Sequence, residues 1–154
     1  MNFILWFSAG STVCVYMLIF LGGLVTSSGQ GLSAGTEWPI PREGLLPTAS
    51  NLLEYLHRAF SGIAGVLILV TAIIAWKNRT RIAKALTVFA ILTLVLVSIQ
   101  IPFGMVVLRT ELHPVIVAIH NSIGTTIFAS SFVTFVMALM QKRDGQNYPQ
   151  SSLK

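Results

Sequence analysis

Glu54-Tyr55-Leu56-His57-Arg58 sets an acid, an imidazole and a guanidinium within two turns of one helix, and a second isolated histidine, His120, stands far downstream. An imidazole takes up protons near neutral pH and ligates metals through either ring nitrogen. A carboxylate one turn away moves protons or polarises water. A guanidinium fits a carboxylate as a two-pronged donor. Both histidines stand at the heads of long apolar runs. Ionisable groups at membrane depth are costly, and those that persist there as a rule carry function. Glu54, His57, Arg58 and His120 are therefore the candidate site, with the two histidines expected to act as a pair.

The elements that must position them are membrane helices. The chain has 154 residues, of which 54% are hydrophobic and 10% charged; a soluble domain carries roughly 25% charged residues. A hydrocarbon core of about 30 Å needs about 20 apolar residues to cross it. Four runs qualify: Phe3–Val25, Leu52–Trp76, Ala83–Leu108 and Pro114–Met140. The expected fold class is all-α, a polytopic membrane protein with one four-helix transmembrane domain over residues 1–140. A polar tail, 141–154, is expected to be disordered. The first run is longer than the apolar part of a signal peptide, has no basic flank before it, and is expected to stay as a span.

Charge sets the topology. The net charge is +5, which in a membrane protein speaks to orientation and anionic lipid. No arginine-rich or aromatic-interleaved basic segment points to nucleic acid. The second connection carries Lys77, Arg79, Arg81 and Lys84 with no acid. It and both termini are expected in the cytoplasm, with the long connection around 27–51 outside, in the cell membrane. That connection holds Trp38-Pro39-Ile40-Pro41 and Pro47 and serves either as a lid over the site or as a plain connector. One cysteine, Cys14, excludes a disulfide within the chain and reads as an apolar filler.

With this topology the second and fourth helices run in parallel. His57 and His120 each fall five or six residues inside, which at 1.5 Å per residue is roughly 8–9 Å below the outer ends. Two histidines at one depth can reach a shared iron from opposite faces, as the axial ligands of a haem do in helix-bundle cores. Ser61, Gly62 and Gly65 follow His57, and Gly124 follows His120. Small residues one turn on would make room for a flat macrocycle. Zinc needs more ligands than two histidines. A lone membrane histidine could also just bond a carbonyl of a neighbouring helix. His113, before Pro114, reads as interfacial rather than ligating.

The other residues have two readings each. Asn51-Leu52-Leu53-Glu54 has capping-box spacing, so Glu54 is either a cap or a carboxylate serving chemistry above the iron. Arg58 either snorkels to the interface or holds a haem propionate. Pro102 sits inside the third helix, where it is expected to kink it. Gly104-Met105-Val106-Val107 loosely echoes Gly23-Leu24-Val25-Thr26, which suggests two related hairpins, each giving one histidine.

Taken together, Glu54-x-x-His57-Arg58, Gly22-Gly23-Leu24-Val25-Thr26 with Ser28-Gly29 and Gly31-Leu32-Ser33, Trp38-Pro39, Gln100 with Gly104, and His120 resemble heme A synthase. The resemblance runs to about Met140. Members of that family usually have eight spans in two related halves; this chain resembles one half, like compact archaeal forms. Many bacterial members carry a cysteine pair in the first outer loop; the matching region here reads Ser33-Ala34 and Ile40-Pro41, so no redox role for a pair carries over. The resemblance implies oxidation of the C8 methyl of haem O to a formyl, giving haem A for a terminal oxidase. It implies His57 and His120 as axial ligands and Glu54 as the acidic residue beside the reacting site. The haem is haem b as cofactor, haem O as substrate, or both. Contacts with haem O synthase or a terminal oxidase would follow from that place in synthesis. A half-length chain with one histidine pair is expected to form a homo-oligomer. The competing expectation is a bis-histidine b-type cytochrome subunit that only passes electrons; a third is an assembly partner without cofactor.

Overall fold

The computed structural model describes residues 2–37 and 46–147, with side chains through Arg143. Trp38, Pro39, Ile40 and Pro41 and the end of the tail lie outside the described residues. Among the described residues the fold is built from four helices: α1 Asn2–Ser27, α2 Leu52–Lys77, α3 Lys84–Arg109 and α4 Pro114–Asn147. All four are long and apolar enough to cross a membrane. A helix satisfies its own backbone polar groups, which is why apolar runs of this length adopt it in lipid. Among the described residues there is no strand. α4 continues past Met140, so the first residues of the polar tail are helical rather than disordered. α3 runs through Pro102 as a single helix.

Each helix packs on its sequence neighbour and α4 closes on α1, giving a ring in which α2 and α4 face each other diagonally. Small side chains make this close approach possible. Towards one end, Ile4, Leu5, Ala75, Leu86, Ala90 and Ala138 interlock; nearer the middle, Val15, Ala64, Ile68, Val97 and Ile127 do. Hydroxyl pairs from neighbouring helices join the bundle as well: Ser11 with Thr71 at 3.4 Å, Thr12 with Ser131 at 3.0 Å and Thr93 with Ser130 at 2.8 Å. In membrane proteins such bonds average about 0.6 kcal/mol each. The large apolar side chains Phe3, Trp6, Phe20, Val66, Val88 and Val95 point outward, the pattern expected where lipid is the solvent.

The ends of the bundle are sorted. At one, the Gln141 amide accepts from Ala83 N–H at 3.2 Å and donates to the Arg81 carbonyl at 3.1 Å, tying α4 to the basic α2–α3 connection. At the other, the segment after α1 meets the α3–α4 connection where Leu112 packs on Gly31. This second end holds both histidines, which line one cavity there. We expect single cysteines at Thr36 and Asn78, in a Cys14→Ala background, to react with impermeant thiol reagents from opposite sides of the membrane. Labelling of both from one side would reject the topology.

The end of α3 is unusual. Leu112 N–H bonds to Val107 O and Glu111 N–H to Leu108 O, both at 3.0 Å. These are the two bonds of a Schellman cap, which asks for a left-handed residue at one position, usually glycine. Here Glu111 fills it with φ 51°, and Leu112 follows with φ 62°. Left-handed non-glycine residues cost about 1–3 kcal/mol each. The cap accounts for Glu111 but not for Leu112.

Candidate functional site

A cavity of about 370 Å³ opens between all four helices at the histidine end, a size within the usual range for small-molecule pockets. His57 reaches it from α2 and His120 from the diagonal helix α4. Each imidazole lies against a glycine of the preceding helix. A Cβ at Gly22 would stand 3.3 Å from His57 Cε1 and 3.7 Å from its Nδ1; one at Gly104 would stand 3.6 Å from His120 Cε1. The echo between the hairpins is therefore real in space but shifted by one residue: Gly104 corresponds to Gly22, not Gly23. The Phe103 ring lies nearly parallel to His120, with centroids 6.1 Å apart and planes 10° apart. Gln100 Nε2 donates to the His120 carbonyl at 2.9 Å and so fixes that turn of α4 against α3.

Both histidine Nδ1 atoms are buried without a hydrogen-bond partner. Buried polar atoms are nearly always paired, and the exceptions call for an explanation. Two such rings facing one cavity from opposite helices suit the axial ligation of a haem, and the glycines supply the space the rings occupy. At Nδ1 neither histidine bonds a neighbouring carbonyl, but the His57 ring donates a hydrogen bond to the Leu18 backbone of α1, so the plain carbonyl-bonding expectation stands for His57 beside the ligating one. Among the described residues no group of three or more His, Cys, Asp or Glu gathers to hold a metal ion on its own. His113 is exposed and lies outside the cavity, as expected.

Glu54 does not close a capping box. Asn51 makes no side-chain bond to the helix end. Its Oδ1 accepts from Thr48 N–H at 2.7 Å, and its own N–H goes to Thr48 O at 3.3 Å. Glu54 is 4% exposed. Its Oε2 accepts from Ala34 N–H at 2.9 Å and from the Ser33 hydroxyl at 3.3 Å, and its Oε1 accepts from Arg58 Nη2. The donors of the segment after α1 and of Arg58 outcompete the helix end, because a buried carboxylate gains more from a guanidinium and an amide together than from one terminal amide. Arg58 likewise does not simply snorkel. It also donates to the Glu37 carbonyl at 2.8 Å and the Gly35 carbonyl at 3.3 Å. Gly35 has φ 80°, a conformation glycine adopts without strain. Both Glu54 and Arg58 still line the cavity.

The small residues divide. Ser61 and Gly124 line the cavity, whereas Gly65 makes room for Ile101 and nothing lies within 4 Å of a Cβ at Gly62. Only the first two could border a macrocycle. Gln100 stood in the sequence as part of a resemblance with no role attached, and Leu112 carried no signal, since its backbone conformation and its contact with Gly31 exist only in the fold.

Residues 48–153 match the COX15-CtaA family, described as cytochrome oxidase assembly protein. The heme A synthase of Exiguobacterium sibiricum is 30% identical over 94% of this chain and 49% of its own length. That of a second Exiguobacterium strain is 31% identical over 92% and 48%. That of Listeria monocytogenes is 32% identical over 88% and 46%. The chain thus spans about half the length of the curated relatives it matches. Those relatives are named as synthases, and none of these names supports the electron-transfer alternative. With the histidine pair, the glycines behind it and the matched residues 48–153 in agreement, the chain belongs to the cytochrome oxidase assembly protein family.

Proposed function

We propose that the chain acts in haem A synthesis, oxidising the C8 methyl of haem O to a formyl. The observation that carries this is the pair of diagonal histidines lining one cavity, each with a glycine behind its ring. The names of the relatives supply the reaction. His57 and His120 would hold the iron of a haem, haem b as cofactor or haem O as substrate. A bound haem supplies an iron whose reactivity its axial ligands tune. Arg58 keeps N–H donors beyond its three contacts and can meet a propionate at the outer rim. Glu54 is the acidic residue at that rim. With water supplying the oxygen, methyl-to-formyl oxidation releases four protons together with four electrons that an external electron acceptor must take, and a carboxylate at the reacting edge can receive the protons.

The test is pigment analysis. Protein purified from cells that make haem O should carry haem, and separation of haems B, O and A should show haem A only when active protein is present. Purified protein with no haem would reject the proposal.

We place the protein in the cell membrane, with both termini and the basic connection cytoplasmic, on the positive-inside rule. Delivery of haem A implies contact with haem O synthase or the terminal oxidase. One histidine pair offers one haem position, so a second copy would supply a second. Native mass measurement in mild detergent should give a homo-oligomer; a monomer that still makes haem A would end the shared-role idea.

A further inference from the structure

Leu112 adopts φ 62° without any demand from the helix cap, so a different interaction must hold it there. Its side chain lies on Gly31, where a Cβ would stand 2.7 Å from Leu112 Cδ2 and 2.9 Å from Cδ1. Both residues line the cavity, one from the α3–α4 connection and one from the segment after α1. Gly31 is buried although it lies in a loop. A few residues on, the same segment is gripped by Glu54 through Ser33 and Ala34 and by Arg58 through Gly35 and Glu37. The segment is therefore fastened twice: a polar clasp from α2 and an apolar one from across the bundle. Strained left-handed residues persist where surrounding structure over-determines them, and they cluster at ligand clamps.

We propose that Leu112 is a positioning residue, the apolar clasp that seats residues 31–37 on the outer rim of the cavity and so controls entry of a flat tetrapyrrole. The identity of that ligand rests on the haem reading; the clasp itself does not. Leu112 touches no reacting atom and acts through the segment it holds.

The experiment separates the two. In a Cys14→Ala, Val117→Cys background, the introduced thiol lies in the cavity wall, and its labelling by a water-soluble maleimide reports access in protein without haem. Leu112→Gly accepts the left-handed backbone without strain but removes the clasp. Labelling should rise at least about tenfold well below the thermal midpoint, where the bundle is folded, whereas general loosening from lost packing would speed labelling only as the midpoint is approached. Gly31→Ala should also speed labelling by pushing the leucine off its seat. Added to Leu112→Ala it should have little further effect, because contacting residues are not additive. Equal labelling in Leu112→Gly and its parent overturns the proposal, and so does faster labelling seen only near the thermal midpoint. Absence of haem from the parent protein would defeat the haem reading and leave the labelling result standing.

Discussion

Replacing His57 or His120 with alanine should abolish the six-coordinate, low-spin haem spectrum of the purified protein. Each ring approaches the cavity from a different helix, and α2 and α4 lie diagonally across the bundle. Neither histidine is therefore positioned to stand in for the other. Loss of residues that merely orient a metal ligand costs 10–100-fold in affinity; loss of the ligand itself should exceed about 100-fold. Alanine in place of either ring leaves a space bounded by Gly22 or Gly104, and added free imidazole should enter it and restore part of the spectrum. Restoration separates a missing ligand from a misfolded bundle. His113→Ala is the control: it is exposed and away from the cavity, and its spectrum should match the parent's. An unchanged spectrum in His57→Ala or His120→Ala removes that residue from the ligand set.

The sequence made the histidines legible because membrane helices obey few rules. Apolar length gave the four spans to within two residues at most ends, and counting from those ends put His57 and His120 near the heads of α2 and α4, where both line one cavity. The other end of α4 was misjudged because polar composition says little about a helix already nucleated by its apolar part. Glu54 was ambiguous for a different reason. The cap spacing in Asn51–Glu54 is local, whereas Ser33 and Ala34, which take the carboxylate instead, lie within the long connection before α2. No periodicity links a loop amide to a helix twenty residues on. The one-residue shift between Gly22 and Gly23 has the same origin: two adjacent glycines are equivalent in sequence, and only ring contact distinguishes them. Leu112 was invisible because leucine gives no warning of a left-handed backbone.

Glu54→Gln should lower haem A production by roughly 10²–10⁴-fold, the usual contribution of a general acid or base, with haem still bound. The structure makes this variant less simple than an exchange of a charged for a neutral cap. The carboxylate takes three donors: Ala34 N–H, Ser33 Oγ–H and Arg58. A glutamine has one oxygen, which can serve Ala34 and Ser33, but its amide then presents N–H groups to the guanidinium. A lost charge-assisted bond in a buried setting costs about 1–3 kcal/mol, and part of the effect would come from a loosened segment 33–37. Arg58→Met separates the two contributions. It releases Glu54, the Gly35 carbonyl and the Glu37 carbonyl together, so it loosens the segment at least as much but leaves the carboxylate in place. If Glu54 takes protons from the reacting methyl, Arg58→Met should raise KM and lower kcat by about tenfold or less, while Glu54→Gln lowers kcat by the full 10²–10⁴ with accumulated haem O or the partly oxidised alcohol. Equal losses of kcat in both variants would reduce Glu54 to an anchor of residues 33–37. Full haem A production by Glu54→Gln would remove it from the chemistry altogether.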